Sequence, residues 1–155
     1  MATRSTIAIE FADGTVQQVY CHWDGYLEHN GVILQESYMD PFKVRDLIDL
    51  GDISSLRENI GVQHPFSAYE GDGLSYQDYK TKYGNMTTFY GRDRGEDGVS
   101  ARKFKNYADY EANHSYEEYE YILRQVNGQA VWFVNAYGKG YVELSKAMKQ
   151  VKEAA

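Results

Sequence analysis

Two tight-turn dipeptides, each set between runs of alternating apolar residues, constrain this chain more than any other feature. In STIAIEF, Ile7, Ile9 and Phe11 alternate with Ala8 and Glu10, which places an apolar row on one face of a strand. Asp13-Gly14 follows, and glycine tolerates the positive φ that a tight hairpin turn needs. The chain returns through TVQQVYC, with Val19 and Cys21 on one face and Val16 and Tyr20 on the other. Near the other end, EEYEYILRQV and QAVWFVNAY are joined by Asn127-Gly128, a strong short-range hairpin signal. Two hairpins therefore frame the chain.

Between them the apolar period changes from two to that of helices. NGVILQESY is helix-like, with Val32, Ile33 and Leu34 available to a core. A second helix has a legible start, Asp40 as N-cap and Pro41 at the first helical position. Val44, Leu47, Ile48 and Leu50 form its apolar stripe, and Gly51 is placed to end it. DISSL reads as a turn or short 3₁₀ segment, MTTFYG as a strand, and GRDRGEDG as a charged loop. FKNYADYEAN predicts a helix capped by Asn106. The tail YVELSKAMKQVKEAA predicts an amphipathic helix burying Val142, Leu144, Ala147, Met148 and Val151. The order ββ, αα, β, α, ββ, α implies an α+β domain spanning residues 1–155: an antiparallel or mixed sheet of about five strands, with helices packed on one face. Residues 61–85 are polar, interrupted by glycine and rich in Tyr; SYQDYKTKY within them suggests a short helix carrying Tyr76, Tyr79 and Tyr83. Connections of that length inside a domain tend to be functional or mobile.

Composition narrows the function. A net charge of −7 argues against a general nucleic-acid binder, which needs a basic footprint on phosphate. The acids are interspersed with Lys and Arg, as in ARKFK and KAMKQVK, so the pattern is that of a solvated surface rather than a DNA mimic. Fifteen Tyr, six Phe and two Trp are a surplus of rings, which supplies either core or a recognition surface. With Cys21 alone no intrachain disulfide forms; together with a start lacking a long apolar run, this implies a cytoplasmic protein without a membrane span. The four histidines show no ligand spacing and one thiol builds no thiolate site, so neither metal nor cofactor is implied.

Two polar clusters follow strands. In YCHWDGY, His22, Trp23, Asp24 and Tyr26 stand beside Cys21, itself read as a small buried residue. In YGRDRGE, Arg92 and Arg94 carry guanidinium forks that match phosphate or carboxylate oxygens, and Gly91 and Gly95 allow close backbone approach. Asp93 and Glu96 would orient the arginines or touch ribose hydroxyls. Trp23 or Tyr26 would stack on a base, which contributes about 1–3 kcal/mol per base in single-strand binders. These eight residues describe a nucleotide pocket if the two clusters meet, with ARKFK adding local positive charge. The competing structural reading is a self-paired surface loop and a hydrogen-bonded strand end. A catalytic alternative uses His22 and Asp24, two apart on an extended segment, as base and orienter, with Arg92 stabilising developing charge.

TRSTIAIEFADGTVQQVYCHWDGY, GDISSL and YGRDRGE resemble a family of small, uncharacterised phage-type proteins. The resemblance covers the first ~60 residues, the RDRGE segment and, more loosely, the final hairpin; residues 62–85 lie outside it. It implies a phage accessory protein working in the host cytoplasm, where such proteins disable defence. Three functions follow as expectations. The first is sequestration, without turnover, of a small anionic ligand such as a nucleotide immune signal. The second is inhibition of a host defence or nucleic-acid enzyme through an acidic, Tyr-rich surface including Tyr69, Tyr76, Tyr79 and Tyr83. The third is nucleotide cleavage. The expected partner is thus a nucleotide-like ligand or a host protein, not nucleic acid or membrane, with an isologous homodimer as the default assembly.

Overall fold

A computed structural model describes residues 2–69 and 73–154. The N-terminal hairpin forms as its pattern requires: β1 (Ser5–Glu10) pairs antiparallel with β2 (Val16–Cys21) around Asp13-Gly14. The Asp13 carboxylate accepts from the Thr15 N–H and hydroxyl, and Gly14 sits at φ +89°. At the other end β6 (Tyr119–Val126) and β7 (Gln129–Ala136) turn at Asn127 and Gly128, both with positive φ, the geometry of a type I′ turn. The two hairpins join edge to edge through a parallel pairing of β1 with β6, Ile7 opposite Tyr121.

Among the described residues there are six α-helices, one π-helical turn and eight strands. The sheet is mixed, in the order β4 (Thr88–Phe89), β3 (Ile53–Ser55), β2, β1, β6, β7 and β8 (Tyr141–Glu143), with β5 (Arg102–Phe104) also on β2. The α+β class stands, but the sheet exceeds the expected five strands because three-residue strands add themselves to the long ones. DISSL is not a turn: β3 (Ile53–Ser55) runs parallel to the end of β2, Cys21 opposite Ile53. MTTFYG yields only β4 (Thr88–Phe89), antiparallel to β3. β5 (Arg102–Phe104) pairs with the start of β2, Val16 opposite Phe104. The predicted tail helix loses its first residues to β8 (Tyr141–Glu143), which leaves Val142 exposed at the sheet edge.

Helices cover both faces, not one. A π-helical turn (Leu27–Gly31) runs into α1 (Val32–Ser37); α2 (Pro41–Asp49) starts where Asp40 accepts from the Phe42 N–H. With α6 (Leu144–Ala154) these lie on the face carrying Ile7, Ile9, Val19, Cys21, Tyr121 and Leu123, and bury Leu34, Val44, Leu47, Ile48 and Leu144 against it. The opposite face, one residue out of phase, carries Ala8, Val16 and Ile122. There α5 (Tyr107–Asn113), capped by Asn106, inserts Tyr110 beside Phe104. The one-face expectation fails because the alternation of β1 is not apolar against polar: Ala8 is as buried as Ile7 and Ile9. The remaining helices are α3 (Tyr76–Tyr83), capped by Ser75, and α4 (Tyr90–Arg94). No helix among the described residues is long and apolar enough to cross a membrane.

Candidate functional site

YCHWDGY is the corner where the hairpin is tied to its surroundings. The His22 and Trp23 N–H groups extend the β3 pairing by donating to the carbonyls of Ile53 and Ser54. Asp24 takes a left-handed φ of +57°, and Gly25 then lies so close to Thr3 and Ser5 that a Cβ would collide with them. The Tyr121 phenol donates to the Gly25 carbonyl at 2.7 Å, and Asn30 reaches back to Ser5 Oγ. His22 and Asp24 are not partners. His22 Nδ1 meets the Tyr20 hydroxyl at 2.6 Å, whereas the Asp24 carboxylate raises the Tyr26 phenol pKa by its charge. Trp23 is half-exposed, edge-on to His22. The Cys21 thiol, fully buried, is pushed up to about 11 by desolvation, so it packs as a small apolar group.

GRDRGEDG is not a free loop. Arg92, Asp93 and Arg94 lie in α4, closed by Gly95 in the left-handed region. Arg92 directs five donor contacts at protein acceptors: Nε and Nη2 to the two Asp93 oxygens, Nη2 to Thr87 O, and Nη1 to Ile60 O and Gly61 O. A guanidinium has five N–H groups, so none remains for a phosphate. Asp93, buried, also accepts from the Phe89 and His64 N–H groups at 2.8 and 3.1 Å. Arg94 pairs with Glu96 at 3.4 Å and lies over the Phe66 ring. The structure thus brings Arg92 to Asp93 and Arg94 to Glu96, and gives neither arginine a contact with Trp23 or Tyr26.

What Arg92 and Asp93 support is a cleft. His64, held by Asp93 through its backbone, donates from Nδ1 to Val62 O, so Nε2 accepts from the Thr88 hydroxyl. Its ring stacks on Tyr83 at 5.2 Å and 19°. Tyr83 in turn meets Tyr79, whose hydroxyl donates to Pro65 O at 2.6 Å; burial raises that phenol's pKa and keeps the donor protonated. Phe66, Tyr69, Tyr76, Tyr79, Tyr83 and Met86 then line an open cleft of about 230 Å³. Tyr69 is 89% and Tyr76 61% exposed.

Among the described residues, Arg57 and Lys80 stand as cations in the cleft wall. Arg57 is fixed by Nε on Gly84 O and by Nη1 on Leu56 O and His29 Nε2; among the described residues Nη2 has no protein acceptor. Rings beside guanidinium and ammonium groups were the chemistry expected of HWDGY with RDRGE. Here it is assembled from residues 55–69 and 76–88. The signal for the rings was in the sequence, as the Tyr spacing of SYQDYKTKY. Arg57 carried none, because it lies just beyond a three-residue strand. None of the eight residues first singled out lines this cleft; Arg94 is one ring away, behind Phe66. No protein-family model, curated protein or solved structure matches the chain.

Proposed function

We propose that the chain binds a small anionic ligand carrying a planar ring system, a nucleotide above all, in the cleft of Phe66, Tyr69, Tyr76, Tyr79 and Tyr83, and holds it without turnover. The observation that carries this is the convergence of five rings with two cationic residues, Arg57 and Lys80, in the lining of one cleft. A base stacks on rings of any identity, and a cation at the rim answers the phosphate. The volume takes one heterocycle with its phosphate outside. The Thr88 hydroxyl lines the cleft on His64 Nε2, but His64 Nδ1 is hydrogen-bonded to the Val62 carbonyl and not to a carboxylate, which favours holding over cleaving. The phage-type resemblance supplies the setting, capture of a host immune signal in the cytoplasm.

Isothermal titration against mononucleotides and cyclic dinucleotides tests it. Tyr76→Ala should weaken the best ligand by about 1–3 kcal/mol, roughly 5- to 150-fold in Kd, and Arg57→Gln should weaken phosphorylated ligands but not the parent nucleoside. Chromatography of the ligand after denaturing the complex should return it intact. Affinity indifferent to both substitutions removes the cleft from the reading. The exposure of Tyr69 and Tyr76 favours a second reading, a host protein covering these rings, since Tyr offers large contact area at small entropic cost. A stoichiometric protein partner lost on Tyr69→Ala, with no nucleotide bound by the wild type, would select it.

A further inference from the structure

The aromatic cleft also carries the chemistry to choose between bases, on the wall made by Thr88 and Tyr79 with His64 behind it. The polar hydrogens of all three residues have protein acceptors. His64 Nδ1 sends its hydrogen to Val62 O at 2.7 Å, since a carbonyl can only accept. The Tyr79 hydroxyl sends its own to Pro65 O at 2.6 Å, and burial keeps that phenol protonated. That leaves the Thr88 hydroxyl, 3.1 Å from His64 Nε2, whose lone pair takes the hydrogen. Thr88 also stands within hydrogen-bonding reach of the Tyr79 phenol, an acceptor for the same hydrogen. One hydrogen thus faces both His64 Nε2 and Tyr79 Oη. The wall is short of donors.

What the wall lacks, a ligand has to bring. Thr88 Oγ1 and Tyr79 Oη keep lone pairs and have no hydrogen to offer outward, so they repel a carbonyl oxygen and accept an N–H. An exocyclic amino group answers both, because its single nitrogen carries two hydrogens. Adenine, cytosine and guanine carry such a group, whereas uracil and hypoxanthine carry none. The rest of the polar lining does not reverse the choice. Ser55 and Ser67 have hydroxyls that turn to donate or accept. Arg57 and Lys80 only donate, and the phosphate takes them.

We propose that Thr88 and Tyr79 select amino-bearing bases for the cleft, their oxygens accepting the two hydrogens of the amino group; this rests on the nucleotide reading of the same cleft. The test is isothermal titration of the full chain with the monophosphates of adenosine, guanosine, cytidine, inosine and uridine. The pairs to compare are adenosine with inosine, guanosine with inosine, and cytidine with uridine. In at least one of them the amino member should bind roughly tenfold or more tightly, the cost of leaving polar groups of the site unpaired. Thr88→Val and Tyr79→Phe each keep the side chain's shape and remove one oxygen. Each should shrink that ratio roughly three- to tenfold, by weakening the amino member alone. The ratio is taken within one sample, so a loss of folded protein does not alter it, and either variant serves if the other fails to fold. Arg57→Gln should weaken both members alike. The proposal falls if no pair favours its amino member, or if a folded variant keeps the wild-type ratio. Equal binding within every pair that Tyr76→Ala still weakens would end this selection and leave the nucleotide reading standing. Failure of all five to bind would end the selection too, and the nucleotide reading with it where cyclic dinucleotides also fail.

Discussion

Arg92 shows how a side chain chosen for its chemistry can be employed wholly in architecture. It is 13% exposed and paired with a carboxylate that is 0% exposed, and it bridges three segments: residues 60–61, Thr87 and α4. Removing one partner of a buried pair leaves the other unpaired, at a cost of about 3–5 kcal/mol. Arg92→Ala should therefore melt on the order of 10 °C below the wild type by circular dichroism. Arg92→Lys should recover little, since an ammonium cannot reproduce a planar fork with five donors. Melting unchanged by either substitution would return Arg92 to the list of groups free for a ligand. The residue types were readable in the sequence, but their pairing was not. Asp93 follows Arg92 directly, and only the closing of α4 and the approach of His64 decide that the acid is internal.

Elements were legible in proportion to their length and to the chemistry at their ends. Asp13-Gly14, Asp40-Pro41, Asn106 and Asn127-Gly128 each announce a boundary that the backbone obeys. β3, β4, β5 and β8 have two or three residues each, too few for a period of two to show; they are strands because β2, β3 or β7 offers an edge. The aromatic cleft draws on such short elements, through Ser55 of β3 and Thr88 of β4, which is why it could not be read ahead. Gly51 tests how tightly one of these joints is made. It ends α2 at φ +85°, its N–H donates to Ile48 O, and an added Cβ would collide with the Val99 carbonyl, which also accepts from the Asp52 N–H. Gly138 has a similar φ of +74° with open space around it. Gly138→Ala should cost about 1–2 kcal/mol, the left-handed penalty alone. Gly51→Ala should cost distinctly more in urea unfolding, and equal losses would mean that the 99–100 segment gives way freely.

Across the molecule, Asp13 and Asp109 on one side and Asp52 and Glu117 on the other form two sets of carboxyl groups with opposite pH behaviour. Asp13 and Asp109 are lowered, chiefly by the Thr15 hydroxyl and the Lys105 N–H respectively; their stabilisation is present above the ordinary value of 3.8 and is lost as pH falls through the lowered one. Asp52 and Glu117 are raised by burial above ordinary values of 3.8 and 4.5, so the fold prefers them protonated. Their contribution is greatest below those ordinary values and is lost as pH rises through the raised ones. Neutral pH therefore leaves Asp52 and Glu117 carrying charges that the fold bears at a cost. Asn at position 52 keeps an oxygen for the Tyr20 N–H and removes the charge, at the expense of the attraction to Arg102. Because the carboxyl is raised in spite of Arg102, desolvation outweighs that attraction. Asp52→Asn should melt above the wild type at pH 7, and the gain should shrink as pH falls through the raised carboxyl pKa, where the wild-type acid takes up its proton. A gain that is constant with pH would trace to packing rather than charge, and a loss at pH 7 would mean that the Arg102 pairing dominates.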